Sequence, residues 1–584
     1  MSNRSDRRPR SHEQQPALSD LNRRDLLKRA GVVGGATILA GGFGALGPAS
    51  AAAQDGGRRV RQMSVLVEPQ ANVPEQFETI QLSAQRLRDI GFDIEVAVMP
   101  WEQQSDTVWF DRESWDMTAW QMVGRPERLD PDEFIYNLFH SSTIEDGYNF
   151  VGYSNPAYDE LAEAQRVEVD HEARVELVYQ LQEIIGADQP YMFAVYPHEN
   201  YAFSTSVWDP ATVVDAKGIG IKNYWTFVGA APLSDQTDMI LNTQSSVQAM
   251  NPLYISGGAD SWITELIWDR LMRIDADGLP QPYAAESVEW TDDTTVLVTL
   301  RPDLMWHDGE PVTVKDVIFS FQAPAGEMSP MYKPFVAPIE SVTAVGDNQV
   351  EFKLLEPFAA FLTSGLSKLN LIPKHVWEPV LADLAEQGIN AEQYQEETPI
   401  GSGPFKYVNW ARNQEIILEA NADHFNAPKM TRWIMRDMPN VAAALGGLQS
   451  GELNFLSDYT GDPTLLQQAA DSSGGALSLV STIVVGFRFL APNHRRAPFG
   501  DAAVRRAMAT AIGRDQIRIN IYKDIYATNA DSHVSKALEA WHAPDLPEYA
   551  VSDVEAARAI LAEAGYDWDD DGFLLYPEGQ TETL

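Results

Sequence analysis

Residues 304–317 read Leu304-Met305-Trp306-His307-Asp308-Gly309-Glu310-Pro311-Val312-Thr313-Val314-Lys315-Asp316-Val317. Thr313, with Asp316 three positions on and Val317-Ile318-Phe319 behind it, is a helix start of the capping-box type. On either side lie runs with strand character, Thr295 to Leu300 before it and Val350 to Leu354 after it. The same alternation extends along the chain from about Val60. Met63 to Val67 reads as a strand, and Phe77, Ile80, Ala84 and Leu87 recur at helical spacing before a stop at Gly91. Phe92 to Val98 reads as a strand again. Near the other end, Ser552 with Glu555 predicts the start of an Ala-rich helix that ends at Gly565. Helices interleaved with strands in this way imply α/β lobes. There is no short-period repeat or low-complexity tract.

Bulk properties set the limits. A chain of 584 residues, 44% hydrophobic and 10% aromatic, is a globular protein with room for a large core and roughly two to three domains. It has no cysteine, which excludes disulfides, thiolate metal sites and a thioether-linked lipid anchor. The formal net charge of −41 repels nucleic acid and anionic lipid, so neither is expected as a partner. Acidity on this scale fits a halophile's solvated surface, where strongly hydrated carboxylates keep a protein soluble in high salt. Most of these carboxylates therefore carry no information about a ligand.

The N-terminus differs from the rest. Arg4, Arg7, Arg8 and Arg10 precede Arg23-Arg24-Asp25-Leu26-Leu27-Lys28, a Gly/Ala-rich apolar run from Ala30 to Leu46, and the small residues Ala49 to Ala53. A basic region, a modest apolar region and an A-x-A site make a secretory signal peptide. The pair Arg23-Arg24 resembles the twin-arginine signal, whose cargo is exported already folded. The competing reading is a membrane anchor. Six glycines between Gly31 and Gly44 leave the run weakly hydrophobic, where a spanning helix wants about 20 strongly apolar residues. Cleavage after Ala51 or Ala53 is expected. The product would be a soluble monomer, extracellular, on the cell surface or periplasmic.

Several stretches in order carry a resemblance. They are Leu241-Asn242-Thr243, Asn251-Pro252-Leu253, Leu266 to Leu271, Pro282 to Ser287 and the opening stretch, then Ile372 to Trp377, Gly401 to Lys406 and Leu448 to Leu453. Pro498 to Asp501, Val504 to Ala507 and Ala511 to Arg514 come after them. Together they strongly resemble the peptide/nickel-type solute-binding proteins of ABC transporters, the dipeptide- and oligopeptide-binding class of family 5. The family's later segments resemble residues at the other end of this chain: Leu87 to Phe92, Trp115 to Trp120, Gly152 to Asp159, and Gln189 to Met192. Residues 58–232 thus resemble the family's C-terminal portion, which in the family order would come after position 584. The resemblance implies a circularly permuted chain, which is feasible where old termini lie together and new ones fall in an exposed turn. On this reading Val60 lies near Leu584. The competing reading is a separate N-terminal domain fused to a truncated binding protein.

The resemblance implies an α/β, two-lobed, periplasmic-binding-protein-like (type II) fold with an inserted subdomain. After the signal and flexible N-terminus (1–53), residues 58–188 form the second half of lobe II, and 189–236 the return to lobe I and a linker. Residues 237–282 begin lobe I, 283–395 form the inserted subdomain, 396–495 continue lobe I, and 496–584 are the first half of lobe II. It further implies a receptor without cofactor or catalysis that delivers a peptide or similar small solute to the permease subunits of an ABC importer, its only link to the membrane. Alternatives are a receptor for a non-peptide anionic or sugar-like ligand, or a surface signalling protein without an importer.

By the same resemblance, the cleft is lined by Gly257, Gly258, Asp260 and Trp262 on one wall, and by Trp120, Met122, Gly124 and Arg125 on the other. Asn529 and Ser532 lie in a contributing loop. Peptide-binding relatives place an aromatic near Met122 and an aspartate near Arg125. An arginine there favours a carboxylate or phosphate, unless it merely pairs with Glu127 or Asp130. There is no Gly-rich phosphate loop, His-Glu-x-x-His helix or G-x-S-x-G elbow. Asp567, Asp569, Asp571, Gly572 and Glu578 match calcium-loop spacing, but Pro577-Glu578-Gly579 leads into a strand, which favours a solvated acidic turn.

Overall fold

The computed structural model describes residues 58–580 apart from 71–72, 123–125, 146, 245–246, 248, 255–257, 326–328, 330–331, 395 and 439. The twin-arginine pair Arg23 and Arg24 lies outside the described residues, as do Gly124, Arg125 and Gly257.

The main sheet contains twelve strands. In chain order they are β1 (Met63–Val67), β2 (Ile94–Val98), β3 (Met117–Met122), β4 (Met192–Ser204), β5 (Asp238–Thr243), β6 (Phe405–Ala411), β7 (Glu415–Ala420), β8 (Arg432–Asp437), β9 (Phe455–Leu456), β10 (Leu477–Ile483), β11 (Phe487–Pro492) and β12 (Ala527–Asn529). Across the sheet they run β6-β7-β8-β5-β9-β4-β11-β3-β1-β2, with β10 and β12 also paired to β4. β5 is parallel to β8 and β9, and β1 is parallel to β2 and β3.

β4 spans two neighbourhoods. Its first residues pair with β11 and β12, Val195 standing opposite both Arg488 and Asn529. Its later residues pair with β10, Tyr201 opposite Val480. The sheet therefore has two halves, one for each lobe, joined through β4. A second crossing runs from β10 to β11 beside it. The Val484 N–H donates to the Pro197 carbonyl at 3.1 Å, and the Val485 N–H to Gly218 at 3.0 Å. Gly218 has a φ of +75°, and a Cβ there would sit 2.1 Å from a Val485 methyl, so only glycine fits beside this crossing.

Each half buries its own core. In lobe II, the helices Pro74–Asp89, Ala502–Ile512 and Val554–Glu563 cover one face through Ile80, Leu87, Val504, Met508 and Leu561. The other face carries Trp115, Phe150, Tyr191 and Phe489. Lobe I buries Trp208, Trp268 and Trp433, and the helix Lys374–Gln387, from the 283–395 segment expected to form the inserted subdomain, adds Trp377 to this same core. A four-stranded antiparallel sheet, Ile339–Ala344, Gln349–Leu354, Thr295–Leu300 and Ala285–Asp292, encloses a separate core with Trp306, Val317 and Phe361. The capping box forms as read: Thr313 and Asp316 cap the helix Val314–Gln322 reciprocally. Asp316 also accepts the Lys374 N–H at 2.9 Å. The Ser552 start is corrected by one residue. Asp553 is the cap, taking the Ala556 N–H at 2.8 Å, because the Ser552 hydroxyl is used on the Ala511 carbonyl at 2.6 Å.

Residues from the two ends of the described chain interlock. The Val60 N–H donates to Leu574 and the Tyr576 N–H to Arg58, both at 2.8 Å. Trp568 Nε1 donates to the Ile90 carbonyl at 2.8 Å, and Arg59 lies over the Phe573 ring. Among the described residues no helix is long and apolar enough to cross a membrane.

Asp116, ahead of β3, ties this lobe together. It accepts from Arg61 at 2.5 Å, Arg496 at 2.7 Å and the Ser64 N–H at 3.0 Å. Burial alone would raise its pKa, but the two guanidiniums and the N–H outweigh it and hold the carboxyl below its usual range. A depressed folded pKa gives stability that is present above the unfolded value, near 4, and lost as pH falls through the folded one. Asp116→Asn is expected to cost about 1–3 kcal/mol near pH 7. In urea titrations the gap to the parent should narrow below about pH 4; a gap that persists there contradicts the assignment.

Candidate functional site

The parallel strands of both halves end toward the lobe junction. In lobe II, β1, β2 and β3 end at Val67, Val98 and Met122; in lobe I, β5, β8 and β9 end at Thr243, Asp437 and Leu456. The crevice beyond the carboxyl ends of such strands is where open α/β sheets take ligands.

Two neighbouring cavities share part of their lining. One, partly open to solvent, spans about 610 Å³ among Leu129, Ile219, Trp225, Trp262, Arg273 and Lys368. The other, also partly open, spans about 650 Å³ among Asp130, His171, Arg174, Trp290 and Trp541. Leu129, from the lobe II side, and Thr363, from the side of the four-stranded sheet, line both. Contacts cross the junction beside them. Lys217 Nζ reaches Asp277 at 3.2 Å and Glu539 at 2.9 Å. The Arg166 carbonyl accepts the Ala359 N–H at 2.7 Å, while its guanidinium lies over the rings of Tyr136 and Phe358. Ion pairs as exposed as those of Lys217 contribute little each, about 0–1 kcal/mol.

The walls carry buried charge in paired form. Arg174 clasps Asp130 through both terminal nitrogens, at 2.6 and 2.9 Å, beneath Trp541. Burial works against the Arg174 charge, and Asp130 more than offsets it. Asp132 next door is pushed up, by burial first, with Arg166 opposing. Arg270 binds Glu265 at 2.8 Å and also donates to Asn370 and the Ser367 carbonyl. Pairs of this kind fix geometry more than they add stability.

Of the residues read from sequence, Trp262 lines the first cavity, edge-on to Phe227 with Lys222 over its ring. Asp260 is buried in the same helix, Gly258–Ile267, which begins at Gly258. Trp120 and Met122 sit at the end of β3 within the lobe II aromatic cluster, Trp120 against Trp101, Trp109, Phe150 and Phe489. Asn529 lies in β12 and donates to Asp515 at 2.7 Å. Ser532 is fully buried; its N–H donates to the Tyr196 hydroxyl and its Oγ to Gln182. Among the described ones, Trp262 lines a cavity, whereas Asp260, Trp120, Met122, Asn529 and Ser532 line neither.

Sequence reading passed over Arg270, Arg273 and the Asp130–Arg174 pair. The visible signal was two arginines three apart in Asp269-Arg270-Leu271-Met272-Arg273. His307 is a structural residue: its ring contacts the Gly403 carbonyl and burial lowers its pKa to about 4. Asp567–Trp568 and Leu574–Leu575 pair as a hairpin. Asp569 closes the turn between them by accepting the Asp571 and Phe573 N–H groups. No cluster of three or more metal-ligating side chains occurs among the described residues.

The chain is thus an α/β protein of two lobes with two crossing strands between them. Its sequence matches the profile of the bacterial extracellular solute-binding proteins, family 5 middle region, over residues 280–584. The chain belongs to that family. It is 28% identical over 349 residues to the oligopeptide-binding protein AppA of Bacillus subtilis, covering 58% of this chain and 61% of that one. It is 26% identical over 360 residues to the periplasmic oligopeptide-binding protein OppA of Salmonella typhimurium, covering 58% and 64%. The chain thus spans about six-tenths of these relatives' lengths. Among solved structures, AppA in complex with a nonapeptide aligns with a TM-score of 0.42 at 25% identity, over 59% of this chain and 67% of that one. NikZ from Campylobacter jejuni with Ni(L-His) aligns at 0.45 and 23%, over 59% and 66%.

Proposed function

We propose that this protein is an extracytoplasmic receptor that closes on a peptide or similar small solute and presents it to an ABC importer. One observation carries the reading: two cavities share Leu129 and Thr363 where two lobes meet, and those lobes are joined by two adjacent crossing strands and bridged by exposed ion pairs. That is the construction of a hinge, and an importer would recognise the closed state. Family membership supports solute binding, and the relatives' names make peptide the first substrate class to test. Hydrolysis has no supporting constellation among the described residues. The protein acts as a monomer with no nucleic-acid partner, and touches the membrane only through the transporter.

The binding wall comprises Trp262, Asp260 and the loop of Gly257 and Gly258 on lobe I. Trp120, Met122, Gly124 and Arg125 form the opposing side. Asn529 and Ser532 frame it by fixing the β4–β12 pairing and Tyr196.

The chain order is a circular permutation, with lobe II assembled from residues 496–584 and 58–188, lobe I from 189–282 and 396–495, and the inserted subdomain from 283–395. The Val60–Leu574 hydrogen bond supports this order, as does the core shared by β1 and the helix Val554–Glu563.

Mass spectrometry of the protein as purified from its native host is expected to find one class of small solute bound. A chain in which residues 58–232 are moved behind residue 580 should fold and retain the same solute. Retention of nothing by the natural chain contradicts the receptor reading; failure of only the rearranged chain contradicts the permutation. Export follows the twin-arginine route, so replacing Arg23 and Arg24 by lysine should leave folded, uncleaved protein inside the cell. Unchanged export would refute the route.

A further inference from the structure

The cavity beside Trp262 contains a charge that the chain leaves incompletely met. Arg273, in the strand Met272–Ile274, is 3% exposed and lines the cavity. Its guanidinium carbon lies 3.5 Å from the centre of the Tyr224 ring and 4.9 Å from that of Tyr283. Nη2 donates to the carbonyls of Glu265 at 2.8 Å and Trp268 at 3.3 Å. The Nε–H is buried and meets no acceptor.

The acids that share the cavity are already engaged. The Glu265 carboxylate is held by Arg270. Asp275 accepts the N–H groups of Asp277 and Leu279 and the side chain of Gln281. Burial works against the Arg273 charge, yet Tyr224, Tyr283, Glu265 and Asp269 together keep the guanidinium ionised. A buried cation without a bonded anion is costly, and two aromatic faces offset only part of that cost. A carboxylate arriving with a ligand would supply the missing acceptor through charge-assisted bonds, for which the planar guanidinium is suited. The lining also holds an apolar group, Leu129, Ile219, Trp225 and Trp262, beside the polar Asn223, Thr363, Ser367 and Lys368.

We propose that Arg273 anchors a carboxylate of the bound solute, whose apolar body lies against Trp225 and Trp262. This rests on the receptor reading and narrows it to acids carrying an aliphatic or aromatic body. The body displaces water from the indole faces, and the carboxylate sets its direction in the cavity.

Two acid–amide pairs test it by calorimetry and tryptophan fluorescence on the full chain: trileucine against its C-terminal amide, and 3-phenylpropionate against 3-phenylpropionamide. At least one acid should bind about 10- to 100-fold more tightly than its amide, the cost of losing a hydrogen bond to a charged group. Arg273→Lys and Arg273→Met should reduce that preference to within about threefold. Their thermal unfolding is followed in parallel, and the acid–amide ratio of the parent chain alone decides the matter if neither variant folds. Equal binding of acid and amide, an unchanged preference in a folded variant, or a co-purified solute with no acid group each overturns the assignment while leaving the receptor intact. Binding of no probe together with no co-purified solute removes the receptor reading itself, and the proposal with it.

Discussion

A single strand, β4, belongs to both lobes, and the rest of the architecture depends on that. Over its 13 residues it exchanges hydrogen bonds with β11 and β12 at one end and with β9 and β10 at the other. Pro197 lies between the two regions. It has no N–H to give the ladder, and its carbonyl takes the Val484 N–H from the second crossing. His198 beside it sits between Ser481 of β10 and Thr528 of β12, and burial lowers its pKa. A hinge between the two lobes would have to bend about this pair of strands. The contacts across the cleft lie both beside this pair, at Lys217 and Leu129 next to the Gly218–Val485 hydrogen bond, and farther out, at Arg166.

The same constraint explains the distribution of positive charge. The chain has 43 basic residues against 84 acidic ones. Several of the basic ones gather where the lobes meet: Arg166, Arg174, Lys217, Arg270 and Arg273. Arg174 and Arg270 are neutralised by buried carboxylates, which pins the cavity walls without adding much stability. Arg273 stands between aromatic rings with no such partner, so the cavity keeps a preference for an incoming anion.

Local structure was legible where local rules decide it. The Thr313–Asp316 cap, the helix carrying Phe77 to Leu87 and the strands Met63–Val67 and Thr295–Leu300 all follow from spacing and capping within a few residues. The Ser552 cap moved by one residue because its hydroxyl is claimed by Ala511, a contact 41 positions away. The double membership of β4 could not be read, since Met192 to Ser204 looks like any buried strand until its partners are known. Site residues divided the same way. Trp262 lies on a helix whose family position was recognisable, and it does line a cavity. Ser532 lies in a loop whose burial comes from Tyr196 and Gln182, more than 300 positions away. Arg273 went unnoticed because an arginine in Asp269-Arg270-Leu271-Met272-Arg273 reads as a solvated charge until Tyr224 and Tyr283 are seen on its two sides.

The central claim is that the lobes hinge about β4 and close on a solute. The chain has no cysteine, so spin labels on cysteines placed at Val167 and Leu355 would be the only two; both positions are exposed, 47% and 66%, on opposite sides of the junction. Their separation can be measured by pulsed electron resonance on the protein as purified and again after unfolding, removal of bound solute and refolding. The hinge account predicts one short distance in the first state and a second, longer population in the second. The same single distance in both would contradict it.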